Sequence, residues 1–126
     1  MYAIQIKINT KFINRFYQFT QEHYSFVTPE EDYKPIERFC VKITGESMVN
    51  AGLTPGSIVE ITKNISVYHN DIILAKVNGV HTIKRLYINH DNSYTLYPEN
   101  IDYEPIDVNQ DMSFEIEGVV TNVIKN

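Results

Sequence analysis

The spacing of hydrophobic and polar residues along this chain changes near residue 38. Before that point, "IQIKI" alternates apolar and polar positions, the two-residue repeat of a short strand. "KFINRFYQFTQEHY" then sets Phe12, Phe16 and Phe19 at helical spacing, which predicts an amphipathic helix or arm, packed on its own domain or on a partner. "TPEEDYKPIE" follows, and Pro29 and Pro35 mark it as an extended, solvated connector. The segment 1–38 therefore reads as an arm and connector, and 39–126 as a separate domain.

From Phe39 onward the period is that of strands. "FCVKIT" and "SIVEIT" are short strands separated by a segment around Ser47 and a Pro55-Gly56 turn. "DIILAKV" is apolar at almost every position, as expected of a strand buried on both faces. Asn78-Gly79 is a strong hairpin signal, since both turn positions favour positive φ. The return strand is "VHTIKRLYI"; "HDNS" turns the chain into "YTLYP", and "SFEIEGVVTNVIKN" ends it. Five or more such strands joined by tight turns predict a mostly β fold, a compact antiparallel sheet or barrel. Helix is expected only in the arm and in one turn after Ser47.

Composition narrows the function. At 126 residues with 43% hydrophobic content, the chain is large enough for one domain with a real core. Its net charge of −5 argues against broad gripping of phosphates, so little direct DNA binding is expected. A single cysteine, Cys40, fits a reducing compartment, and its place in "FCVKI" predicts a buried structural thiol. No segment has the length and apolarity of a membrane span, and the N-terminus lacks signal-peptide features. A soluble, cytoplasmic protein is the expectation.

Candidate chemistry is sparse. His23, His69, His81 and His90 are scattered without the spacing of a metal site, and Gly52 and Gly56 lack the lysine of a phosphate loop, so no cofactor is expected. Glu30 and Glu31 lie in the connector and read as solvating charge. Ser47 follows a strand, and "SMVNAG" has the makings of one helical turn, so Ser47 is either a helix cap or a nucleophile beside backbone N–H groups. Lys84 lies in "HTIKRLY", where alternation groups Thr82, Lys84 and Leu86 on one face and Ile83 and Arg85 on the other. Lys84 is then either a snorkelling surface lysine or a desolvated one. A desolvated lysine has a lowered pKa, and its neutral amine can take a proton from a serine. Arginine cannot, because it does not deprotonate.

These residues, in this order, resemble a known family. "VKITGESMVNAGLTPGSIVEI", "HNDIILAKVNGVHTIKRLYI", "YTLYPENIDYEPI" and "FEIEGVVTNVIKN" together resemble the LexA/UmuD family of self-cleaving serine–lysine peptidases over roughly residues 39 to 126. The resemblance implies that Ser47 is the nucleophile and Lys84 the general base. It also implies that the backbone N–H groups of Ser47 and Met48 are oxyanion donors, and that Gly45, Gly52 and Gly56 meet backbone requirements of the active-site turn.

Within the family, the UmuD branch is the closer match. Only 46 residues precede Ser47, too few for a helix-turn-helix domain plus linker, and "FVTPEEDY" resembles the stretch after the UmuD cleavage point. This implies a homodimer that partners a UmuC-type polymerase in error-prone translesion synthesis, with cleavage promoted by RecA filaments on single-stranded DNA. One departure stands out: the family cuts Ala-Gly or Cys-Gly bonds, whereas this chain has no glycine before Gly45. The corresponding position reads Tyr24-Ser25. Either the dimer works without cleavage there, as a binding module, or its pocket has diverged to accept that bond. A third reading is the peptidase-like core of a phage or mobile-element repressor.

Overall fold

Seven strands carry the fold in a computed structural model that describes residues 34–126. They are β1 (Glu37–Lys42), β2 (Ile58–Lys63), β3 (Ile72–Val77), β4 (Val80–Ile88), β5 (Tyr94–Tyr97), β6 (Ile106–Asp107) and β7 (Phe114–Lys125). The expected strand at residues 4–8 and the helix bearing Phe12, Phe16 and Phe19 fall outside the described residues. One sheet holds all seven strands in the order β1-β2-β7-β3-β4-β5-β6, and every pairing is antiparallel.

Turn chemistry sets the registers. Asn78 and Gly79 both take positive φ, at 50° and 84°, and close a two-residue hairpin in which Val77 faces Val80. Asn92, at φ 69°, turns the chain between β4 and β5. The two-residue β6, which pairs Thr95 with Asp107 and Leu96 with Ile106, is too short to show a period in sequence. β7 bridges the halves of the sheet: its first part pairs with β3 and its second with β2.

Two hydrophobic cores form on this frame. The first gathers Ile73, Ala75, Leu86, Leu96, Phe114 and Ile116 with their neighbours. The second gathers Ile43, Met48, Leu53, Val59, Ile61 and Leu74. Ile73 and Ala75 enter the first core while Leu74, between them, enters the second, so β3 is buried on both faces, as its apolar run predicted.

The expectation for Cys40 is corrected: its thiol is exposed. Among the described residues β1 ends the sheet, and Cys40 pairs with Glu60 on the side of the ladder away from Val59 and Ile61. An apolar run on an edge strand leaves one face in solvent.

Candidate active site

Ser47 lies in the turn that follows β1. The chain leaves the strand through buried Ile43, whose N–H donates to Ser57 O at 2.8 Å while its carbonyl accepts from Gly56 N–H, also at 2.8 Å. Met48 and Leu53, each 2% exposed, pin the turn into the second core. Between them, Val49–Ala51 form the single 3-10 turn expected after Ser47. Ser47 itself is half-buried, with its side chain at the rim of this anchored loop. Gly52 and Gly56 take positive φ, 85° and 95°, as the turn requires. Gly45 does not, and a Cβ there would meet nothing within 4 Å, so the backbone requirement expected of Gly45 is absent.

Lys84 approaches from β4. It pairs across the ladder with Ile73, and two residues on, Leu86 is fully buried. Only 8% of Lys84 is exposed. Its Nζ donates to Ser47 Oγ at 3.0 Å and to Thr82 Oγ1. The bond to Thr82 follows from strand geometry, since side chains two residues apart share a face. Both partners are neutral hydroxyls, and burial pushes the Lys84 amine below its ordinary value. The surface-lysine alternative is therefore set aside by the structure.

A cleft of about 380 Å³ opens onto the pair, with Ile43, Met48, Leu74 and Ile83 among its apolar walls and His81 at its side. His81 bonds Glu117 at 2.9 Å; Glu117 is the extra residue where β7 bulges against Leu74 and Ala75. His69, expected in a turn, accepts a hydrogen bond from Ile88 N–H at 3.0 Å. Among the described residues no three His, Cys, Asp or Glu side chains converge as metal ligands would. Tyr24 and Ser25 lie outside the described residues.

Sequence reasoning missed a clamp on the Ser47 turn. Glu99 N–H donates to Ser47 O at 2.7 Å, Asn50 N–H to Glu99 O at 2.9 Å, and Asn100 Nδ2 to Glu46 O at 2.9 Å. The Glu99 carboxylate also meets Arg85 Nε at 3.0 Å. The backbone N–H groups of Ser47 and Met48 have no acceptor among the described residues. The stretch "YPEN" was visible in the sequence, but no local period marks a loop that works by reaching another loop.

The chain also matches known proteins over most of its length. A family model described as Peptidase S24-like matches residues 4–121. The chain is 34% identical over 96 residues to the LexA repressor of Pasteurella multocida (strain Pm70), covering 75% of this chain and 45% of that protein. It is also 34% identical over 95 residues to the LexA repressor of Edwardsiella ictaluri (strain 93-146), covering 75% and 46%. The chain thus spans about half the length of the curated relatives it matches. No helix among the described residues is long and apolar enough to cross a membrane.

Proposed function

The chain belongs to the Peptidase S24-like family, and we propose that Ser47 and Lys84 form a serine–lysine dyad that cleaves a peptide bond of the protein's own N-terminal arm. The observation that carries this reading is a buried amine 3.0 Å from a serine hydroxyl, with no salt bridge to a carboxylate among the described residues. Neutral Lys84 takes the Ser47 proton as Oγ attacks the scissile carbonyl carbon. The resulting oxyanion is held by the N–H groups of Ser47 and Met48. When the tetrahedral intermediate collapses, the C–N bond breaks and the leaving amine takes the proton from the Lys84 ammonium. Water, deprotonated by Lys84, then hydrolyses the ester on Ser47, which recovers its proton.

The setting we infer is UmuD-like: a cytoplasmic homodimer acting with a UmuC-type polymerase in the response to DNA damage, its cleavage promoted by RecA filaments on single-stranded DNA. The likeness of Phe26–Tyr33 to the UmuD stretch supports this, as does a net charge of −5, which suits protein partners better than phosphates. A second reading, the self-cleaving part of a repressor, is favoured by the 34% identity to LexA repressors.

Intact mass of the full chain over time, at neutral and alkaline pH and with or without RecA filaments, tests the peptidase. Ser47→Ala and Lys84→Ala serve as controls. A fragment that requires both residues is expected, and its mass names the bond, Tyr24-Ser25 or another. No fragment under any condition would leave a dimeric binding module in place of a peptidase. Co-purification with a UmuC-type polymerase supports the first setting, and control of a promoter by the uncleaved chain supports the second.

A further inference from the structure

The clamp on the Ser47 turn has a direct geometric consequence for the N–H groups of that turn. A trans peptide unit is planar, and its N–H points opposite to its C=O. The N–H of Met48 belongs to the same unit as the carbonyl of Ser47, and the N–H of Ser47 to the same unit as the carbonyl of Glu46. The described residues contain no cis peptide bond. Whatever holds these two carbonyls therefore aims these two N–H groups in the opposite direction.

Both carbonyls are held by consecutive residues of one segment. Glu99 N–H bonds Ser47 O at 2.7 Å, and Asn100 Nδ2 bonds Glu46 O at 2.9 Å. Val49 N–H also reaches Glu46 O, but at 3.3 Å. The Asn100 side chain is fixed at its other end as well, because its Oδ1 accepts from Asp102 N–H at 2.9 Å. The carboxamide thus has one orientation that satisfies both neighbours, with oxygen towards Asp102 and nitrogen towards Glu46.

The sheet cannot supply this alignment. Three strands, β2, β7 and β3, stand between β1, which leads into Ser47, and β4, which carries Lys84. The segment holding Glu99 and Asn100 follows β5, the neighbour of β4. It reaches the Ser47 turn through its backbone and through Asn100, and it reaches β4 through the Glu99–Arg85 ion pair, one residue from Lys84.

We propose that Asn100 is a positioning residue that, together with the Glu99 N–H, aims the Ser47 and Met48 N–H groups as a preformed oxyanion hole. The inference rests on the dyad reading above and deepens it. Donors fixed before charge develops need no rearrangement during reaction, which is where such sites gain most of their rate.

The test uses the full chain and first-order self-cleavage rates across a pH series, with melting temperatures measured in parallel. Assays are run below the melting point of the least stable variant. Asn100→Ala removes the donor to Glu46 and should lower the plateau rate about 10- to 100-fold. The pH midpoint should stay in place, since Lys84 is untouched. Asn100→Asp keeps the acceptor for Asp102 N–H but sets an oxygen against Glu46 O, and should lose at least as much rate. If Asn100 served only to shape its own loop, Asn100→Asp would cleave like the wild type. That result, wild-type rates in both variants, or a displaced midpoint in Asn100→Ala overturns the proposal while leaving the dyad intact. A wild-type chain that yields no fragment overturns both.

Discussion

In the proposed mechanism Lys84 acts as a base only when neutral, which sets how the cleavage rate should depend on pH. Its Nζ lies among neutral partners, the hydroxyls of Ser47 and Thr82, with 8% of the residue exposed. Burial disfavours the ammonium form, so the pKa lies below the ordinary lysine value of about 10.4. Well below its pKa, the neutral fraction grows tenfold with each pH unit, so the logarithm of the rate should rise with a slope of about one. It should then bend to a plateau before pH reaches about 10.4. Lys84→Arg places a permanently charged side chain there, which should abolish the sloping limb and lower the rate by about 10²- to 10⁴-fold. The assay is first-order appearance of the fragment by intact mass from about pH 6 to about pH 10.5. A sloping limb that persists in Lys84→Arg, or wild-type and variant rates that coincide at every pH, would refute the assignment.

Two further outcomes follow from the same packing. Because the folded pKa of Lys84 is depressed, wild-type stability is complete only above the unfolded lysine pKa and falls as pH drops through the interval to the folded value. Lys84→Met removes that penalty, so it should melt a few degrees higher at neutral pH and lose its advantage above about pH 10.4, read from paired thermal melts at both pH values. Gly118 faces a different constraint: a Cβ there would collide with Ile61 Cγ2 and sit 3.0 Å from Thr62 O, a backbone atom of the adjacent strand. Gly118→Ala should cost about 1–3 kcal/mol in urea unfolding, and an unchanged midpoint would show that β2 and β7 can separate there at no cost.

The strands were legible because their signals are local. "VHTIKRLYI" alternates between faces, and Asn78-Gly79 announces its own turn, so β4 could be read to its ends, Val80 and Ile88. The pairing of Ser47 with Lys84 is not local: 37 residues separate them in the chain. Likeness to a family supplied that pairing, and only the fold brings the two groups to 3.0 Å. Cys40 was misread because apolarity says that a strand packs, not which strand ends the sheet. β6 escaped because two residues carry no period. Asn100 escaped because its side chain bonds the backbone of Glu46, 54 residues away, and any residue type can offer a carbonyl.

The position of the dyad between the two cores explains how one site can be both dry and open. Ser47 belongs to a turn anchored by Met48 and Leu53 in the second core. Lys84 belongs to a strand whose neighbours on its own face, Ile73 across the ladder and Leu86 two residues on, lie in the first. A lysine wholly inside one core would be neutral but unreachable by a peptide, whereas one on the outer surface would be reachable but charged at neutral pH. At the seam, the amine is desolvated by one core while the cleft beside the other leaves the serine accessible. β3 is the element common to both, sending Ile73 and Ala75 one way and Leu74 the other. The distance between the Ser47 hydroxyl and the Lys84 amine therefore depends on the packing of a central strand and on the Glu99–Asn100 clamp across the gap.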